Sequence, residues 1–193
     1  MRALGKEKMS QEIADQLKKE FENITDISCE VTFMEKGNHH RPTTLRDGKK
    51  GVYAFLLNDN VCFKVGKANS NSKARWNSHH YSLDKSTPST LTKSMLTNLH
   101  IMRKYFDGND INKFEVILKK YDLESTEFKS DIKKLEKDKV KSLSAELGLK
   151  KWIMNNMSRI EFLLNDSDDD FDSNLLEAIV QFKLKPIFEG KNA

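Results

Sequence analysis

The sequence predicts an α/β fold in which a small, mostly antiparallel sheet is packed by helices. Two short apolar runs, 51–57 and 61–67, flank Asn58-Asp59-Asn60, and Asn and Asp favour the turn of a β-hairpin. Amphipathic segments at helical spacing occur both before and after this hairpin. A chain of 193 residues with 37% hydrophobic and 32% charged residues suits a single globular domain, 1–193.

The first 49 residues predict a helix and then a strand, as an N-terminal extension of the main fold. Apolar residues recur every three or four positions over 10–24, which is typical of an amphipathic helix. Apolar and polar residues then alternate over 27–33, which indicates a half-buried strand. Residues 50–188 form the predicted core of the domain, with a helical insertion at about 90–150.

The register of the hairpin decides whether Tyr53 and Lys64 can meet. If Asp59-Asn60 is a two-residue turn, Phe55 lies opposite Lys64 and Tyr53 lies opposite Gly66. Tyr53 and Lys64 then share one face of the sheet as diagonal neighbours, roughly 7–8 Å apart. A three-residue loop would place them on opposite faces.

The remaining elements follow from caps, spacing and chain breakers. Asn and Ser residues before Lys73 are good helix N-caps, and in the helix that follows Arg75 and His79 share a face. Beyond this point we expect the following elements: a helix over 91–105, a strand over 114–118, a helix over 129–147 closed by Gly148, a strand over 157–165, and a helix over 175–185 ended by Pro186.

Composition and charge exclude some classes of protein. No apolar run is long enough to cross a bilayer, and the two cysteines make no metal-ligand pattern, so we expect a cytoplasmic protein with no membrane contact. Residues 41–105 carry twelve Lys or Arg against three acids, whereas 160–177 carry seven acids and no Lys or Arg. This asymmetry suits a polyanion-binding surface beside a metal-binding edge, and the alternative is a solvated lysine-rich face.

Three short motifs carry the chemical prediction. They are Gly51-Val52-Tyr53, Lys64-Val65-Gly66 and the pair Arg75 and His79, followed late in the chain by Glu177, nine residues before Pro186. In this order and spacing the chain resembles the GIY-YIG nuclease family, over roughly 50–81 and 157–188. Lys64 stands where most members have a second tyrosine, as in restriction enzymes of this family.

The resemblance implies a role for each motif residue. It implies that Tyr53 lies near the attacking water with Lys64 beside it, and that Arg75 binds the phosphoryl oxygens. It also implies that His79 assists proton transfer or holds the scissile phosphate. It makes Glu177 the single protein ligand of a divalent metal, Mg²⁺ or Mn²⁺. An asparagine often follows the closing proline in the family, but here Ile187 does.

Glu177 has two structural alternatives in the sequence alone. Asn174 and Glu177 fit a capping box at the start of a helix. Residues 166–177 also place acids at several ligand positions of a calcium loop, although Phe171 stands where that loop needs glycine. Glu161 is the other carboxylate candidate, but it lacks a proline at the right distance.

The sequence and the resemblance together predict a Mg²⁺-dependent endonuclease that cleaves double-stranded DNA, most like a type II restriction enzyme. Cleavage of both strands suggests a homodimer. The alternatives are a structure-specific or phage-defence nuclease and a non-catalytic nucleic-acid-binding module of the same fold. Base discrimination is expected from the loop 38–41 or the helix from Leu91. The predicted DNA-binding residues are Lys67, Lys73, His80, Arg41, Lys93, Arg103 and Lys104.

Overall fold

The structure, a computed structural model, describes residues 3–46, 48–58, 61–69, 72–83, 90–164 and 170–188. The chain divides into two compact units. The first unit joins residues 1–77 to 153–193, and the second comprises 78–152. The predicted helical insertion at about 90–150 lies almost wholly in the second unit.

The first unit is built on a four-stranded sheet in which every pair of neighbouring strands is antiparallel. Its strands are β1 (Cys29–Met34), β2 (Lys50–Leu57), β3 (Val61–Ala68) and β4 (Met157–Leu164), in the spatial order β1-β4-β2-β3. The predicted α/β class with an antiparallel sheet is confirmed. The strand predicted at 157–165 is confirmed as well, and it lies beside the central strand β2, which its apolar sequence keeps buried.

Helices account for most of the rest of the described chain. They are α1 (Ala3–Thr25), α2 (Lys73–Asn77), α3 (Leu91–Thr97), α4 (Leu99–Met102), α5 (Gly108–Lys120), α6 (Phe128–Asp131), α7 (Lys137–Leu147), α8 (Leu149–Asn156) and α9 (Asp170–Leu184). Gly148 ends α7 in the left-handed conformation, φ 64°, as predicted. The single helices predicted over 91–105 and 129–147 are each broken in two, the first at Asn98.

Two of the predicted elements are wrong. Residues 114–118 lie inside α5 and not in a strand, because Ile111, Phe114 and Leu118 bury one helical face and Asp107 caps the helix by accepting from Asp110 N at 2.8 Å. Helix α2 ends at Asn77, so His79 lies in the turn after it. Arg75 and His79 therefore do not share a helical face.

The hairpin reaches the predicted register by an unexpected route. Tyr53 pairs with Gly66 and Phe55 with Lys64, but Leu57 pairs with Val61, which leaves three residues between the strands. A β-bulge between Phe55 and Leu56 absorbs the extra residue. Tyr53 and Lys64 therefore share one face of the sheet, and the prediction holds although its two-residue turn is wrong. Asp59 and Asn60 themselves lie outside the described residues.

The two faces of the sheet differ in what they bury. On one face, Val52 and Ala54 of β2 and Phe162 of β4 pack with buried residues of α1 and α9 in an apolar core. The opposite face carries Tyr53, Phe55 and Lys64, with two charged residues of β4 beside them. The first face holds the unit together, and the second holds the candidate site.

A short segment after α9 pairs with the outer side of β3. Ile187 N donates to Cys62 O at 3.0 Å and Phe188 N donates to Phe63 O at 2.9 Å, and Lys64 and Phe188 form an isolated parallel bridge. The rings of Phe63 and Phe188 meet edge to face at 5.7 Å. This contact brings the end of the closing helix to the strand that carries Lys64.

The second unit is helical and has its own buried residues. The Phe106 ring contacts the rings of Phe114 and Trp152 at centroid distances of 5.0 and 4.3 Å, and Trp152 Nε1 donates to Asp110 at 2.8 Å. In the described part of the chain, no helix combines the length and apolarity needed to cross a membrane.

Candidate active site

Tyr53 and Arg75 form the centre of the candidate site. Tyr53 is fully buried on β2, and Arg75 on α2 hydrogen-bonds its side chain. Burial raises the pKa of Tyr53 to about 12, against the positive charges of Arg75 and Arg159. Two residues from separate motifs thus meet at one phenol oxygen.

Glu177 completes the cluster from the closing helix. It is half-buried near the middle of α9, and burial raises the pKa of its carboxyl group. The positive charges of Lys67, Arg75 and Lys64 oppose this rise and favour the carboxylate. The side chains of Tyr53, Lys64, Arg75 and Glu177, which the sequence analysis selected from four elements, are therefore gathered in one region of the first unit.

The position of Glu177 in its helix removes both structural alternatives. Helix α9 begins at Asp170, so Glu177 lies seven residues into the helix and cannot cap its N-terminus. The acids of the calcium-loop pattern from 166 to 169 lie outside the described residues. The rest of that pattern, 170–177, is helical and cannot wrap around a calcium ion as a loop.

Two lysines fix α9 against the sheet. Lys67 on β3 donates a hydrogen bond to Asn174, one turn before Glu177. Lys50 on β2 forms an ion pair with Asp170 at 3.2 Å, at the start of the helix. These contacts add to the core packing of Leu176 and Val180, which holds α9, and with it Glu177, against the sheet.

Sequence reasoning missed Arg159, which lies on β4 opposite Phe55 and on the same face of the sheet as Tyr53. The side chain is fully buried, and Nη2 lies 2.8 Å from Trp76 O and 2.8 Å from Glu161 Oε1. Its guanidinium carbon lies 5.0–5.3 Å from the ring centres of Tyr53, Phe55 and Trp76. The available signal was a pair of opposite charges, two residues apart, in an otherwise apolar strand.

Glu161 is held from both sides. Oε2 accepts from the Thr43 backbone N–H at 3.2 Å and from the Thr43 hydroxyl, while Arg159 lies beside Oε1. Burial raises the pKa of Glu161, and Arg159 and Thr43 oppose that rise. Because it is only 2% exposed and already has these partners, it does not suit an open metal position.

The other predicted site residues are placed unequally. His79 is half-buried and belongs to the second unit. His80 is fully buried, with Nδ1 accepting from Leu91 N at 3.2 Å, and Lys93 is 2% exposed. Both side chains are therefore buried in this structure, which a charge pattern in a sequence does not reveal.

The other residues predicted to bind DNA are at least partly exposed. Arg41, Arg103 and Lys104 are exposed, Lys67 and Lys73 are half-buried, and Arg103 forms an ion pair with Glu115. His40, from the predicted base-reading loop, is fully buried with its Nδ1 2.6 Å from Met157 O. Burial lowers the pKa of His40 to about 4, which leaves the ring neutral and suited to packing.

The donor set fits one kind of metal site. The described ranges contain no group of three or more His, Cys, Asp or Glu side chains that could hold a metal. Mg²⁺, however, retains several waters and is commonly bound by one or two carboxylates together with substrate phosphates. Glu177, a single half-buried carboxylate near the half-buried cations Lys67 and Arg75, fits this arrangement.

Comparison of the chain with protein-family models, curated proteins and solved structures gives no match. The resemblance to GIY-YIG nucleases therefore depends on the sequence motifs alone.

Proposed function

We propose that this protein is a metal-dependent endonuclease that hydrolyses phosphodiester bonds in double-stranded DNA, most like a type II restriction enzyme of the GIY-YIG family. The observation that carries the proposal is the convergence of Tyr53, Lys64, Arg75 and Glu177. They come from β2, β3, α2 and α9, interact electrostatically with one another, and are the residues that the resemblance selected from the sequence.

Hydrolysis needs a proton acceptor for the attacking water and positive charge at the phosphoryl group. Tyr53 is proposed to act as a phenolate that accepts a proton from the attacking water and becomes the neutral phenol, while the bond from the water oxygen to phosphorus forms and the bond to the leaving 3′ oxygen breaks. The hydrogen bond and positive charge of Arg75 oppose the rise in the pKa of Tyr53 and so favour the phenolate that acts as the base. The permanently charged guanidinium of Arg75 can also hydrogen-bond phosphoryl oxygens, so Arg75 interacts with both the proposed base and the phosphoryl group.

Lys64 and Glu177 complete the charge arrangement. Lys64 is nearly fully buried on the Tyr53 face, where its ammonium group favours negative charge on substrate and base. Glu177, together with substrate phosphate oxygens, would hold Mg²⁺ or Mn²⁺. Such an ion supplies Lewis-acid stabilisation of the charge that develops on the phosphoryl oxygens.

The test is cleavage of supercoiled plasmid and of a sequenced phage genome with Mg²⁺, Mn²⁺ or Ca²⁺. We expect Mg²⁺ or Mn²⁺ to support cleavage, and Tyr53→Phe and Arg75→Lys to lose activity while remaining folded. Mapping the ends of the genome fragments separates a restriction enzyme, with one recognition sequence, from a structure-specific nuclease. Duplex binding without cleavage under any metal would favour the non-catalytic module.

The proposed cleavage of both strands has a consequence for assembly. A single site cuts one strand, so we propose that the enzyme acts on duplex DNA as a homodimer. Light scattering of the protein alone and with a duplex in Ca²⁺ tests this part of the proposal. A single protomer on the duplex, together with single-strand nicks as the only product, would contradict it.

A further inference from the structure

The pair Arg159 and Glu161 occupies an unusual place for two charges. Both lie on a central strand, at 0% and 2% exposure, and they form an ion pair at 2.8 Å. Removing two charges from water costs several kcal/mol for each, so a buried ion pair is often less stable than a well-packed apolar pair. Stability alone is therefore a poor reason for these two residues to lie here.

Arg159 contacts both of the elements that meet at the Tyr53 hydroxyl. Its guanidinium lies over the Tyr53 ring at 5.0 Å and over the Phe55 ring at 5.1 Å. Nη2 donates to Trp76 O at 2.8 Å, and Trp76 follows Arg75 in α2. One rigid, planar group thus spans the strand of the proposed base and the helix of the phosphate-binding arginine.

Glu161 and Thr43 orient the guanidinium group of Arg159. Glu161 lies opposite Tyr53 in the β2–β4 register, and its carboxylate is fixed by the Thr43 backbone N–H and hydroxyl. Thr43 also binds α2, because Trp76 Nε1 donates to Thr43 O at 3.0 Å. The network closes from Thr43 through Glu161 and Arg159 to Trp76 and back.

From this geometry we infer that Arg159 and Glu161 are positioning residues, which hold Tyr53 and Arg75 in the arrangement needed for phosphodiester cleavage. The inference rests on the proposed nuclease function for its catalytic readout. Neither residue touches substrate; they act through Tyr53 and through the backbone next to Arg75. A displacement of about 1 Å in a reacting group can cost about 100-fold in rate, so loss of the network is expected to lower kcat.

The test uses the full chain with both charges removed together. Arg159→Met/Glu161→Gln leaves no unpaired buried charge and keeps an acceptor for Thr43, so it is designed to fold. We expect a Tm near or above that of the wild type, an unchanged Kd for duplex DNA in Ca²⁺, and a kcat about 100-fold lower in Mg²⁺. Lys120→Met/Glu146→Gln removes a surface ion pair of the second unit and is the matched control, with kcat unchanged.

A merely structural role gives a different result. If the double variant folds and retains the wild-type kcat, the inference is overturned. Arg159→Lys is a second variant that keeps the charge balance but lacks the planar group that stacks on the rings and reaches two acceptors. Arg159→Lys should also bind DNA normally and have a lowered kcat. Full activity in Arg159→Lys would overturn the inference, whether or not the double variant folds.

A readout that needs no cleavage separates this inference from the proposed function. The phenol carbon signal of Tyr53, labelled with ¹³C and assigned with Tyr53→Phe, reports the hydrogen bond and ring environment of Tyr53. If the wild type cleaves no DNA, the proposed function fails, but Arg159→Lys should still shift this signal. An unchanged signal in a folded Arg159→Lys variant would overturn the positioning role.

Discussion

Glu177 experiences two opposing influences that make it the most informative residue to change. Partial burial disfavours its ionised form, while Lys67, Arg75 and Lys64 favour that form. Burial dominates, so the pKa lies above its ordinary value. Replacement by glutamine keeps the shape of the side chain and removes only the charge.

We expect Glu177→Gln to abolish cleavage while leaving duplex binding in Ca²⁺ largely intact, because the proposed metal has this one protein carboxylate. Plasmid cleavage and a fluorescence binding titration measure the two effects. Glu20→Gln, which removes a carboxylate on α1 that pairs with Lys183, is the control and should cleave normally. Full activity in Glu177→Gln would contradict the proposed metal site.

The same substitution is expected to raise Tm more at pH 7 than at pH 4. The pKa of Glu177 is raised in the folded state, so the folded protein binds its proton more tightly than the unfolded chain does. Stability from this group is therefore present at low pH and is lost as pH rises from the ordinary pKa through the folded one. Thermal melts of wild type and Glu177→Gln at both pH values check the sign, and a larger gain at pH 4 would contradict it.

At this scale, motif spacing selected four residues that the fold brings together, but it could not predict which other side chains are buried. Tyr53, Lys64, Arg75 and Glu177 could be selected because each lies at a fixed distance from a recognisable strand, helix or proline. Arg159 could not be selected, because its partners Tyr53 and Trp76 lie 106 and 83 positions earlier in the chain. His80 and Lys93 were predicted to bind DNA and are buried in the structure; a cation-rich run could not reveal this, because it gives no direction for its side chains.

At the scale of elements, the hairpin depends on a glycine that faces the proposed base. A Cβ at Gly66 would lie 2.5 Å from the Tyr53 hydroxyl oxygen and 2.8 Å from its ring carbon Cζ. The ladder to β2 fixes the backbone of Gly66, so the Tyr53 ring would have to move. The third residue of the Lys64-Val65-Gly66 motif is thus explained by the space that Tyr53 occupies.

We expect Gly66→Ala to destabilise the fold by about 1–3 kcal/mol through overpacking and to lose at least as much cleavage activity as Tyr53→Phe. Urea denaturation and plasmid cleavage measure the two effects. Gly108→Ala is the matched control, because a Cβ there meets nothing within 4 Å and the glycine lies at the start of α5. Gly108→Ala should leave the stability unchanged or raise it slightly. If Gly66→Ala lowers neither stability nor cleavage, Tyr53 can move to accommodate the Cβ and the prediction is wrong.

Periodicity gave most of the strands and helices but could not reveal the compensating irregularities. Cys62 and Phe63 are both apolar and both buried, so an extra residue among them leaves no trace in the alternation pattern. In α5, Val116 and Ile117 favoured a strand locally, but burial of Phe114 and Leu118 along one face selected a helix. Tertiary packing decided both cases.

At the scale of the whole molecule, the net charge of +4 does not show which of the positively charged side chains are exposed. Of the predicted DNA contacts, Arg41, Arg103 and Lys104 are exposed, whereas His80 and Lys93 are buried. Among the described residues of the basic stretch 41–105, fewer cations are exposed than the composition suggests. Counterion release upon binding gives a direct count of those that act.

We expect log K for duplex binding by Glu177→Gln to fall linearly with log salt concentration. Lys73→Ala or Lys104→Ala should each reduce the slope by about one, and each should weaken binding to all sequences equally. Lys18→Ala, which removes a cation of α1 outside the basic stretch, is the control and should leave the slope unchanged. A slope that neither surface variant alters would exclude these residues as phosphate contacts.

The pairing of Ile187 and Phe188 with β3 also bears on aggregation. Strand β3 lies at the border of the sheet, and these two residues occupy backbone groups of Cys62 and Phe63 that could otherwise recruit a strand from another molecule. A chain that ends at Lys185 should self-associate and precipitate on warming, whereas one that ends at Phe188 should keep the size of the full chain. Light scattering during heating compares the two. The short segment after α9 would then protect the edge of the sheet from pairing with other molecules. Phe188 would be needed to keep the protein in solution at high concentration.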